Sequence, residues 1–123
     1  MLANVLRTID DRKDAAVAAL SEFLRIPSVS TKPDHAPEMR RCARWLADQL
    51  KAGGLRAELC ETGGGKGHPL VLAKNEHKRG RPTVLFYGHF DVQPPEPLEL
   101  WKSPPFEPAV RDGAIYARGA ADD

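Results

Sequence analysis

The chain sets a histidine and a carboxylate two residues apart, His89 and Asp91, directly after the apolar run Val84-Leu85-Phe86-Tyr87. A neutral imidazole is a good zinc ligand, and a carboxylate two positions on can accept the proton of its other ring nitrogen and so orient the ring. Active sites of open α/β sheets gather beyond the carboxyl ends of strands, which is where His89 stands if the run before it is a strand. By itself, His-x-Asp is weak evidence for a metal site and is more often a hydrogen-bonded pair at a strand end. A second acidic group follows further on: Ala117-Arg118-Gly119-Ala120-Ala121-Asp122-Asp123 places two adjacent carboxylates in a run of small residues. Adjacent aspartates commonly form a solvated turn or a helix cap. A carboxylate can also bridge two cations with its two oxygens, and small residues let the backbone approach them closely.

Elements that could position these groups are legible from periodicity. Leu2, Val5, Leu6, Ile9, Val17, Leu20 and Leu24 step mostly by three and four, which predicts one first helix with an apolar stripe. It should stop near Ile26, because Pro27 pushes the residue before it out of helical geometry. A second helix is expected from about Pro37 and Glu38, with Met39, Cys42, Leu46 and Leu50 inward and Gly53-Gly54 as its C-terminal signal. From Leu55 the period becomes two, with Leu55, Ala57 and Leu59 on one face of a strand, and Gly63-Gly64-Gly65 supplies a flexible turn. Leu70-Val71-Leu72-Ala73 and Val84-Leu85-Phe86-Tyr87 are unbroken apolar runs, expected of central strands covered on both faces. Ala109-Val110-Arg111 and Ala114-Ile115-Tyr116 flank Asp112-Gly113, a dipeptide suited to a two-residue hairpin turn. The sum is an α/β layout with two N-terminal helices, a mixed sheet and a terminal hairpin. Only two helices are available to cover it, so the order reads as part of a larger, truncated sheet domain.

Composition narrows the partners. The 123 residues carry 18 Lys and Arg against 17 Asp and Glu, with no recurring single-sign block, which argues against nucleic acid and anionic membrane as partners. Met1 to Asp14 mixes acids and bases with no long apolar stretch, so neither a signal peptide nor a membrane span is expected, and the protein reads as cytoplasmic. Cys42 and Cys60, without a C-x-x-C spacing, are expected to be reduced and buried. His35, His68 and His77 lie in polar, Pro- or Gly-flanked stretches and read as solvated. Ser28 and Ser30 have no nearby base in sequence and read as turn or capping groups rather than nucleophiles. Trp101 and Phe106 are expected to pack the long loop. Lys78-Arg79-Gly80-Arg81 reads as a solvated basic turn.

The segment from Val84 to Asp123 combines His-x-Asp-Val-Gln-Pro, a tryptophan (Trp101), Pro105-Phe106, the Asp112-Gly113 hairpin and an Arg-Gly-x-x-Asp-Asp end. In this it resembles the dinuclear zinc peptidase family of carnosine-type dipeptidases, acetylornithine deacetylase, succinyl-diaminopimelate desuccinylase and aminoacylase, and most closely the dipeptidase branch. Leu24-Arg25-Ile26-Pro27-Ser28-Val29-Ser30 resembles the family's opening, so the likeness runs through the whole chain. The resemblance implies a three-layer α/β catalytic domain, of which residues 1–123 would be the N-terminal part, the rest and a dimerisation domain lying elsewhere. It implies that His89 ligates one zinc, that Asp91 orients His89, and that Asp122 bridges two Zn2+ ions, with Co2+ or Mn2+ as possible replacements. Asp123 would be a neighbour, joined to Asp122 by the family's cis peptide; in this chain that bond is expected to be trans or disordered. Ala117 departs from the glycine of many members. The general-base glutamate and the remaining ligands match no position here, so residues 1–123 alone are expected to be inactive and to bind metal weakly. The implied substrate of the complete protein, a homodimer, is a dipeptide or, on the deacylase alternative, an N-acyl amino acid. A non-catalytic interaction module is the reading from a different class.

Overall fold

The computed structural model describes residues 1–122. The expected first helix is two: α1 spans Leu2–Asp11 and α2 spans Lys13–Leu24. They part at Arg12, which sits at φ −103° and ψ 3° and gives its N–H to the carbonyls of Thr8 and Ile9. Between Ile9 and Val17 the apolar stripe holds nothing larger than alanine, so no large apolar side chain spans the break. Leu2, Val5, Leu6 and Ile9 accordingly stay exposed, while the stripe becomes buried at Leu24. The chain leaves α2 just ahead of Pro27, as that proline requires, with Ile26 N–H closing a tight last turn on Phe23 O.

Pro37 lies in the first turn of α3, Ala36–Ala52, where its missing N–H costs nothing, and Gly53 follows the last turn. The inner face of α3 buries Met39, Cys42, Ala43 and Ala47. These meet Leu24, Ile26 and Val29 to form the core, with Ser28 buried among them. Trp45 of α3 stacks on Phe23 of α2 with ring centroids 5.1 Å apart. Small residues on α3 let the helix lie close to the sheet made by β1, Arg56–Cys60, and β2, Leu70–Lys74. That pair is antiparallel, with Leu59 opposite Val71.

A second antiparallel pair, β3 (Ala109–Arg111) and β4 (Ala114–Tyr116), turns through Asp112 and Gly113 at φ 49° and 76°. Both central residues have positive φ, as the Asp-Gly dipeptide predicts. The described sheet structure is these two antiparallel pairs. The expectation of a central strand at Val84–Tyr87 is not met: that run is coil, and its four residues are 69% to 92% exposed. A strand needs a neighbour for its N–H and C=O groups and a layer over each apolar face, and none of the described residues supplies either. β2, also expected to be covered on both faces, alternates exposed and half-buried positions for the same reason. Among the described residues no helix is long and apolar enough to cross a membrane.

Candidate metal centre

The site is assembled on the turn that links α2 to α3. Pro27 to Ser30 runs alongside Phe90 to Val92 and is stitched to it from one buried serine: Ser28 Oγ donates to Phe90 O at 2.7 Å, and Val92 N–H donates to Ser28 O at 2.9 Å. Cys42 Sγ, from α3, also approaches Phe90 O at 3.8 Å. Apolar side chains on both sides, Leu24 and Ile26 with Phe90, line the cleft that holds His89, Asp91 and Asp122. The coil carrying His89 is thus ordered by a helix-to-helix turn rather than by strand pairing.

Within this frame His89 faces acceptors on both ring nitrogens. Nδ1 lies 3.0 Å from the Asp91 carbonyl oxygen and 3.3 Å from Asp91 Oδ1. Both are acceptors for a proton on Nδ1, and in that neutral tautomer the lone pair falls on Nε2. Nε2 in turn lies 3.3 Å from Asp122 Oδ1. Ligands bound at about 2.0 Å to one tetrahedral ion stand about 3.3 Å apart, so this spacing fits the edge of a zinc coordination tetrahedron. The donor set, one imidazole and one carboxylate, also suits zinc and neighbouring divalent ions. Among the described residues no group of three or more His, Cys, Asp or Glu side chains is placed to hold a metal ion. The side chains of His89 and Asp91 are 42% and 40% exposed, and that of Asp122 is 78% exposed, so the cleft opens to solvent.

Asp122 reaches this position through a close backbone approach. Gly119 has φ 83°, and a Cβ built there would lie 2.7 Å from Val92 Cγ1 and 3.6 Å from Leu24 Cδ2. Neighbouring Arg118 gives its N–H to Pro105 O at 2.7 Å, and its guanidinium lies 5.1 Å from the centre of the Trp101 ring. Trp101 Nε1 donates to Pro95 O at 2.7 Å, so the tryptophan does pack the long loop. The expectation about the Asp122 to Asp123 peptide bond lies outside the described residues.

Two histidines read as solvated are part of the framework. His35 Nδ1 donates to Pro27 O at 2.7 Å and His68 Nε2 donates to Ser30 O at 2.8 Å, pinning the turn at both ends. Ser30 Oγ donates to Asp91 Oδ2 at 2.5 Å. Local spacing could not reveal these pairs, because the partners of Ser30 and His68 lie 61 and 38 residues away. His77 is exposed, as expected. Cys42 is buried and Cys60 only half-buried, both as free thiols.

A sheet-and-helix frame thus brings one imidazole and one carboxylate to a spacing that a divalent ion would fit. Residues 85–123 match the profile of peptidase family M20/M25/M40. The chain is 42% identical over 88 residues to a succinyl-diaminopimelate desuccinylase of Azoarcus sp. (strain BH72), covering 70% of this chain and 21% of that protein. The crystal structure of human carnosine dipeptidase 1 superposes with a TM-score of 0.91 and 32% identity, over all of this chain and 28% of that one. An M20 family metallo-carboxypeptidase from Sulfolobus solfataricus gives a TM-score of 0.76 and 35% identity, over 87% of this chain and 23% of that one. Over residues 85–123 the chain is similar to the M20/M25/M40 peptidases, a family whose members are metallopeptidases. It spans about a fifth of the length of the desuccinylase and about a quarter of the length of each solved structure.

Proposed function

We propose that residues 1–123 form part of the catalytic domain of a dinuclear zinc amidohydrolase, in which His89 ligates one zinc, Asp122 bridges two, and Asp91 orients His89. The observation that carries this reading is the placement of His89: one ring nitrogen is turned onto Asp91, and the other lies 3.3 Å from Asp122 Oδ1. The bound zinc pair would supply an acidified water and a Lewis acid for an amide carbonyl. Asp91 keeps the proton on Nδ1, which leaves the Nε2 lone pair for the metal side. Asp122 contributes negative charge on the open side of the cleft, which Leu24, Ile26 and Phe90 also line.

The substrate class is a dipeptide, supported by the backbone likeness to the human dipeptidase over the whole chain. An N-acyl amino acid is the second reading, supported by the sequence likeness to the desuccinylase. The reaction belongs to the complete protein, a cytoplasmic homodimer; among the described residues His89 and Asp122 are the proposed metal contacts, too few for turnover. The test is metal analysis and hydrolysis by the complete protein, wild type against His89→Ala and Asp122→Ala, with unblocked dipeptides and N-succinyl or N-acetyl amino acids as rival substrates. Metal-dependent cleavage of either class, lost in both variants, supports the reading; wild-type protein without bound metal refutes it.

A further inference from the structure

Asp91 divides its carboxylate between two partners. Oδ1 lies 3.3 Å from His89 Nδ1, and Oδ2 accepts the Ser30 hydroxyl at 2.5 Å. The serine is itself held: its carbonyl accepts from His68 Nε2, and Ser28, two residues before it, is bonded twice to the segment that carries Asp91. A hydroxyl on a fixed backbone thus meets a carboxylate that is 40% exposed and would otherwise exchange rotamers with water as its partner.

The order Ser30, Asp91, His89 has the composition of a serine-hydrolase triad but not its connectivity. A nucleophilic serine gives its proton to the ring nitrogen opposite the aspartate. Here Ser30 Oγ donates to the aspartate, and the opposite ring nitrogen faces Asp122 instead. The hydroxyl therefore sits at the far end of the chain of contacts from the open cleft, behind the carboxylate.

We infer that Ser30 is a positioning residue for the metal centre, its hydroxyl holding the Asp91 carboxylate against His89 Nδ1 and thereby raising metal affinity without touching the ion. The inference rests on the reading of His89 and Asp122 as metal ligands. Losing a partner that orients a metal-bound histidine weakens metal binding about 10- to 100-fold, and Ser30, one step further out, should act near the lower end of that range.

The test uses the protein as its gene encodes it, with Zn2+ or Co2+ alone as the probe and affinity read by competition with a chromophoric chelator. Ser30→Ala should weaken binding about tenfold in the wild-type background and leave it unchanged in an Asp91→Ala background, because the serine works only through that carboxylate. Ser30→Thr should stay within about threefold of wild type while Ser30→Val, of the same shape without the hydroxyl, should follow the alanine variant, a comparison that remains valid if alanine destabilises the turn. Wild-type affinity in Ser30→Ala and Ser30→Val overturns the inference, as does an equal loss with and without Asp91. A wild-type protein whose metal affinity does not change in His89→Ala removes the metal site itself, and with it both this inference and the reading it rests on.

Discussion

Gly119 packs against Val92 so closely that a side chain on the glycine has nowhere to go: a Cβ there would stand 2.7 Å from Val92 Cγ1. Its φ of 83° is a second obstacle to any L side chain. Gly119→Ala should therefore destabilise the protein by about 1–3 kcal/mol, through overpacking and a strained backbone together. Asp122, three residues on, should move with the displaced backbone, so metal affinity should fall as well. Adding Val92→Ala relieves the contact but not the φ and should recover only part of the loss. Urea denaturation and chelator competition on the three proteins measure both effects.

His68 tests whether the turn under the site is a structural bracket. Its Nε2 is the donor for Ser30 O at 2.8 Å, and His68→Ala leaves that carbonyl without it. A loss of about 1–2 kcal/mol in unfolding free energy is expected. His77→Ala, at an exposed position, should stay within about 0.5 kcal/mol of wild type. Equal effects at the two histidines would mean that the His68 bond contributes nothing.

These contacts mark the boundary of what was legible in the sequence. His89, Asp91 and Asp122 were singled out by the motif run from Val84 to Asp123 as a whole and not by their spacing alone, whereas Asp112-Gly113 specified its turn locally. α3 was readable because Pro37, an apolar stripe and Gly53 all agree. The bracket was not, since Ser30 meets Asp91 and His68 only after the chain has folded back across 61 and 38 residues. Val84–Tyr87 was misread for the complementary reason: an apolar run encodes a demand for burial, and pairing partners decide whether a strand forms. The break at Arg12 escaped notice because periodicity was carried across a stretch with no large apolar residue.

The two cysteines should differ in reactivity. Burial pushes the Cys42 thiol up to about 11 from an ordinary value of 9.0, with the nearby Glu38 carboxylate adding to the rise and Ser28 and Arg41 opposing it. The thiolate is the reactive form, so Cys42 should resist alkylation of the native protein at pH 8 while the half-buried Cys60 reacts first. The raised value also has a stability consequence. Below pH 9 the thiol is neutral in both folded and unfolded chains; between 9 and about 11 only the unfolded chain ionises, and stability is lost as pH rises through that window. Cys42→Ala should flatten this alkaline decline, which thermal melts from pH 8 to 11 would show.

Acid should act elsewhere, at the junction of α3 with the end of β1. Arg40 grips Glu61 with two parallel bonds, Nη1 to Oε1 and Nη2 to Oε2, each 2.7 Å long. The guanidinium, mainly by hydrogen bonding and secondarily by charge, holds the Glu61 carboxyl below its ordinary value of 4.5. A depressed folded-state value means that the contribution is fully present above about pH 4.5 and is lost as pH falls through the folded value. Both side chains are well exposed, so the effect is small and screened by salt. Glu61→Gln should therefore melt below wild type at pH 7 in low salt, with the gap closing in about 1 M NaCl and again below pH 4. A gap that persists in acid would show that Glu61 works through packing against α3 and not through its charge, because protonation removes only the latter.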